Sequence, residues 1–234
     1  MDKKYKYSAE TANAYKTLGI AGTTYEPSFQ KSARILGDLK GKVVLDFGSG
    51  AGRSARFLIN LGAKKVIGVD HNASMVEEAK GENISGAEFH LVENTFPLPD
   101  YSVDLVFSSH ALMEISEIAK IQTTMTKIAR VVKQEGRFIA IIANPESAFG
   151  HDYVSYRYPD KPKTLRSGDK INLIIKTSKP FVIEDHYWTL EDYKTALGQA
   201  GFLIQGIMYP KPESGNWIDE IKIPAHMILD AVKK

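Results

Sequence analysis

Asp46, Gly48, Gly50 and Gly52 close an apolar run that starts at Val43, and Asp70 closes a second run, Val66-Ile67-Gly68-Val69. This pairing suits one kind of ligand. A buried strand that ends in a carboxylate and turns through close-set glycines lets backbone N–H groups touch a nucleotide-like molecule. A carboxylate ending the next strand can accept both hydroxyl hydrogens of a ribose. The glycine spacing then separates two chemistries. A dinucleotide fingerprint, G-x-G-x-x-G, would place its third glycine at position 53, where this chain has Arg53. The spacing here is instead G-x-G-x-G, with an acid two residues ahead of it.

The remaining reactive side chains are sparse. There are no cysteines, which removes disulfides, thiolate metal sites and covalent cysteine mechanisms. The six histidines show no His-x-His or His-x₃-His spacing, so no metal site is expected. His110 follows an apolar strand and is the one candidate general base. Thirty basic residues against twenty-eight acidic ones leave a net charge of +2, too balanced for obligate binding to nucleic acid. No apolar run is long enough to span a membrane, and the polar start, Met1 to Lys6, has no secretory apolar region behind it. A cytoplasmic location is the expectation.

The elements that must hold these residues alternate. After amphipathic helices over 8–18, with Ser8 as a cap, and up to Gly37, strands are expected at Val43–Asp46, Val66–Asp70, Glu88–Val92, Asp104–Ser108 and Arg137–Ala143. Helices fall between them at Arg53–Leu61, Ala73–Lys80 and Glu117–Val132. Such alternation builds right-handed βαβ units and a parallel sheet. The pattern breaks after Asn144-Pro145. Residues 149–170 are aromatic and basic, and two strand-like runs follow at Ile171–Lys176 and Phe181–Trp188. A helix, Leu190–Ala200, and a last strand, Phe202–Met208, resume it. The expected fold is α/β: a Rossmann-like, doubly wound, mostly parallel seven-stranded sheet with an antiparallel last strand. An inserted antiparallel element lies over its ligand edge. The division expected is an N-terminal helical cap (1–37), a nucleotide-binding α/β domain (38–148 and 189–234) and an inserted substrate cap (149–188).

With the loop, the two acids and Pro97-Leu98-Pro99-Asp100-Tyr101-Ser102-Val103-Asp104 in view, the chain resembles the class I S-adenosylmethionine-dependent methyltransferases. The likeness is to the ubiquinone and menaquinone C-methylase group and covers most of 35–145 and 189–208. The resemblance implies S-adenosylmethionine as cofactor and S-adenosylhomocysteine as product. It implies that Asp46 anchors the methionine amino group, that Gly48, Ser49, Gly50 and Gly52 give backbone access, and that Asp70 holds the ribose. His71 and Met75 would flank the adenine, and Ser108 and Ser109 would meet the methionine end. The family's Gly-Asp-Ala stretch is replaced by Val92-Glu93-Asn94-Thr95, so either Glu93 or Asn94 reads the adenine amino group.

Acceptor contacts are expected from Tyr25, Tyr153, Tyr156, His186 and Trp188, because the insert and the N-terminal helix would enclose a pocket for a small molecule. The leading reading is methyl transfer to an O, N or C atom of a small molecule. A tRNA or protein methyltransferase and a non-catalytic cofactor-binding module stand as alternatives, with an NAD(P)-dependent dehydrogenase behind them. Exposed aromatic strands also bury well against a second copy, which keeps a homodimer open.

Overall fold

The computed structural model of the chain describes residues 9–93 and 95–234, so the expected Ser8 cap and the Asn94 alternative lie outside the described residues. Two helices come first, α1 (Ala9–Lys16) and α2 (Glu26–Leu36). The alternating part follows: β1 (Val43–Phe47), α3 (Arg53–Asn60), β2 (Lys65–Asp70), α4 (Ala73–Gly81), β3 (Ala87–Leu91), β4 (Val103–Ser109), α5 (Ile118–Val131) and β5 (Val132–Ala143). Then come a short α6 (Pro145–Ala148), β6 (Tyr156–Arg157), β7 (Lys170–Ile175), β8 (Phe181–His186), α7 (Leu190–Gln199), β9 (Phe202–Met208) and β10 (His226–Lys233).

Seven strands form one sheet in the order β3-β2-β1-β4-β5-β10-β9, and β6-β7-β8 form a separate antiparallel sheet. β1 runs parallel to both β2 and β4. The strand order reverses on either side of β1, and a ligand crevice of an open α/β sheet opens at the carboxyl ends of such strands. The central strands are buried on both faces, as parallel strands covered by helices must be. Val44, Leu45, Val66, Val106 and Phe107 are all in the core.

The expected seven-stranded, mostly parallel sheet with an antiparallel last strand is what forms. That last strand is β10 instead of Phe202–Met208, and it lies between β5 and β9, antiparallel to both. Met227, Ile228, Leu229 and Ala231 are buried there. A bidentate ion pair from Arg137 on β5 to Asp230 on β10, at 3.1 and 2.7 Å, ties the two strands together. Two sequence features set the local geometry near the crevice. Asn72 caps α4 by accepting from the Met75 N–H at 3.2 Å. Gly68 on β2 leaves room for Phe89, because a Cβ there would come within 2.5 Å of its ring.

Candidate active site

The loop after β1 is shaped by its glycines. Gly48 has φ +72, and a Cβ on it would sit 2.2 Å from that of Ala111. The loop therefore presses directly on the turn that follows β4. Gly50 has φ +51 but faces open space, with nothing within 4 Å of a built Cβ. One glycine is demanded by the fold, and the other keeps a cradle empty.

The two acids differ in environment. Asp46 is fully buried at the end of β1. Its Oδ2 accepts from Ser54 Oγ at 2.7 Å, while Oδ1 has no partner among the described residues. Burial pushes its carboxyl up to about 7. Ser49 Oγ is likewise buried without a partner among the described residues. Asp70 is instead fixed by its own loop: Oδ2 accepts from the Gly50 N–H at 2.9 Å and Oδ1 from the Asn72 N–H at 2.8 Å. Each oxygen keeps lone-pair capacity for a ligand hydroxyl.

The glycine loop and Asp70 open on a cavity of about 1080 Å³. Gly48, Ser49, Gly50, Gly52, Asp70, His71, Met75, Glu93, Ser109 and His110 all line it. Asp46 and Ser108 lie behind the wall, buried; Ser108 Oγ also lacks a partner among the described residues. A cofactor with an ammonium and a ribose fits this set. The anchored Asp70 and the open space beside Gly50 suit the ribose, and Asp46 Oδ1, buried behind the wall without a partner among the described residues, keeps capacity for the ammonium.

The expected acceptor residues divide. His186, at the end of β8, lines the cavity together with Lys170 and Glu184 of the second sheet. Its Nδ1 is buried without a partner among the described residues, and burial lowers its basicity. Tyr153, Tyr156 and Trp188 do not line the cavity. They pack in the core, with Trp188 Nε1 donating to the Ile115 carbonyl at 3.0 Å and the Tyr156 hydroxyl 2.8 Å from His226 Nε2. Tyr25 is buried as well, behind Arg53. The aromatic content of 149–170 fills the joint between the two sheets instead of facing a ligand.

His110 follows β4 and lines the cavity beside Ser109. Its Nδ1 lies 2.9 Å from Ser109 Oγ. Its Nε2 is buried with no N or O partner among the described residues, and the ring packs edge-on to Tyr25 (5.0 Å) and His226 (4.4 Å). Burial, with His226 and Arg53 nearby, holds its basicity well below the usual range for histidine. Nε2 is closed off, while the residue lines the cavity and its Nδ1 meets the Ser109 hydroxyl.

Sequence reasoning gave Arg53 no positive role, yet it organises one wall. Its guanidinium lies 3.9 Å from the centre of the Tyr25 ring, and donates to the Leu18 carbonyl and the Tyr15 hydroxyl at 3.3 Å each. Tyr15, Leu18, Gly19 and Ile20 thereby become cavity wall. The available signal was an arginine at a helix start in a chain whose N-terminal segment is rich in tyrosine. His226 carried no signal at all, since only folding brings it beside His110.

Comparison with known proteins comes to the same region. A family model described as a methyltransferase domain matches residues 45–140. The N-demethylindolmycin N-methyltransferase of Streptomyces griseus is 24% identical over 171 residues, covering 68% of this chain and 68% of that protein. The demethylmenaquinone methyltransferase of Tropheryma whipplei strain Twist is 28% identical over 199 residues, covering 82% of this chain and 80% of that protein. A solved structure of an S-adenosylmethionine-dependent methyltransferase from Mesorhizobium loti matches the fold with a TM-score of 0.65 at 18% identity, over 92% of this chain and 100% of that one.

Proposed function

We propose that this chain, a class I S-adenosylmethionine-dependent methyltransferase, moves the methyl group to a small-molecule acceptor. The observation that carries the reading is the single cavity running from the glycine loop to Lys170, Glu184 and His186 on the second sheet. A site walled by both Tyr15–Ile20 and β8 admits a compact ligand more readily than a folded macromolecule. The two curated relatives above are named for small organic acceptors, and the likeness carries that class here.

In this reading residues 1–37 and 149–188 cap the α/β domain of 38–148 and 189–234. Asp46 would hold the cofactor's amino group, the 48–52 loop its methionyl and ribosyl parts, Asp70 the ribose hydroxyls, and His71 and Met75 the adenine. Glu93, exposed at the cavity edge, is the described candidate for the adenine amino group. The bound sulfonium supplies an already activated methyl group, so the protein's part is alignment and exclusion of water. Asp46 enters such a complex as a carboxylate, its proton displaced by the cofactor's ammonium. Arg53 holds the N-terminal segment closed over the loop.

The test is to incubate the protein with methyl-labelled S-adenosylmethionine and a panel of hydroxy- and amino-substituted aromatic compounds, with bulk tRNA and protein in parallel. Label is expected in a panel compound. Label in tRNA or protein alone would overturn the small-molecule reading.

A further inference from the structure

We infer that Ser109 and His110 form a proton relay for an acceptor whose reacting atom is an O–H or N–H group; this rests on the small-molecule reading above. Four observations support it. Ser109 lines the cavity, and its hydroxyl is 2.9 Å from His110 Nδ1. The turn carrying both residues is clamped to the glycine loop, because Gly48 leaves only enough room for Ala111. His110 has φ +61, a left-handed conformation that a non-glycine residue adopts at a cost. The His110 N–H donates to the Ile141 carbonyl at 2.9 Å, which holds that conformation in place.

The rings around His110 fix the direction of the relay. Its Nε2 is buried with no N or O partner among the described residues, and the Tyr25 and His226 rings pack against the imidazole with planes at 89° and 78° to its own. A lone pair aimed at an aromatic face is repelled, whereas an N–H directed there is favourable. The relay places the ring proton on Nε2, the nitrogen left without a polar partner among the described residues, and a lone pair at Nδ1. Ser109 donates to that lone pair, and its oxygen lone pairs are left for a hydrogen bond from the acceptor.

The balance is complete without an external reagent. As the acceptor's heteroatom takes the methyl group, the carbon–sulfur bond breaks with its electron pair left on sulfur. The heteroatom's proton passes to Ser109 Oγ, and the Ser109 proton passes to His110 Nδ1. The site loses a sulfonium cation and gains an imidazolium, so its net charge is unchanged despite Arg53 beside it. The imidazolium returns its proton to solvent as product leaves. Ser109 is thus a catalytic residue on the acceptor side instead of a cofactor ligand, and His110 acts through it.

Two measurements test this. The first needs no acceptor: long-range proton–nitrogen spectra of histidine-labelled protein with S-adenosylmethionine bound. They are expected to show His110 protonated at Nε2, and protonation at Nδ1 instead would overturn the relay. The second compares Ser109→Ala, His110→Gln and the double variant, following S-adenosylhomocysteine release with ring-substituted phenols and anilines. Each single variant is expected to lose about 100-fold in turnover. The double variant should lose little more, and the loss should grow as the acceptor becomes less acidic. Cofactor affinity is expected to stay within about threefold, a shift worth under about 1 kcal/mol. Additive losses, or a Ser109→Ala variant that weakens cofactor binding tenfold with turnover intact, would overturn it. If the wild type binds cofactor but methylates no panel compound, the small-molecule reading fails, and the spectra still decide the relay.

Discussion

The two ends of the cavity are built by different means. At the glycine-loop end, consecutive residues do nearly everything: Asp70 is held by the N–H groups of Gly50 and Asn72, and Gly48 and Gly50 set the path of the chain. At the other end, the wall combines Tyr15–Ile20, the turn after β4 and strands β7 and β8, joined by side chains distant in sequence. The first end is a backbone device that tolerates little change. The second depends on packing among separate segments and can be altered piece by piece.

Three substitutions probe that contrast. The largest effect is expected at Gly50. Gly50→Val places a side chain in the empty cradle at a left-handed φ, and S-adenosylmethionine binding should fall more than about 100-fold in calorimetry while the fold persists. Binding within a few-fold of wild type would show that the loop does not approach the cofactor.

At the opposite end, Arg53→Gln removes the stack on Tyr25 and the bonds to Leu18 and Tyr15. Together these are worth about 1–3 kcal/mol. Amide exchange over residues 9–25 should accelerate by about tenfold or more, and cofactor affinity should weaken less than it does in Gly50→Val. Unaltered exchange would mean that the segment is held by something else.

The smallest signal is a proton. The folded pKa of Asp46, about 7, lies above the usual value of 3.8, so the folded protein binds that proton more tightly than the unfolded chain does. Stability of the free protein from this group is therefore greatest at low pH and declines as pH rises from about 4 to about 7. An ammonium placed at Asp46 reverses the preference. Cofactor binding at pH 6 should release up to about one proton, read from heats in buffers of different ionisation enthalpy, and the release should fade above pH 7 and vanish in Asp46→Asn. No buffer dependence at pH 6 would remove Asp46 from the cofactor's contacts.

The same contrast explains what could be read from the chain. A spacing of glycines and strand-ending acids is a local statement about backbone, so the places of Asp46 and Asp70 on β1 and β2 and the glycine turn between them were legible, with the parallel sheet that positions them. Tyr153, Tyr156 and Trp188 were misplaced because composition does not tell a ring that lines a pocket from one that fills a joint. β10 was missed as a strand because its run follows a proline-rich tail and pairs with β5, far back in sequence. The closeness of His110 to His226 and of Arg53 to Tyr25 exists only in the folded chain.

The central claim is that the glycine-loop end binds S-adenosylmethionine, with the ribose on Asp70. The direct measurement is calorimetric titration of wild type and Asp70→Ala with S-adenosylmethionine and with NAD. The account expects one cofactor bound per chain at micromolar affinity, no heat from NAD, and a loss of about 2–3 kcal/mol in the variant. NAD binding in place of S-adenosylmethionine, or an unchanged dissociation constant in Asp70→Ala, would contradict it.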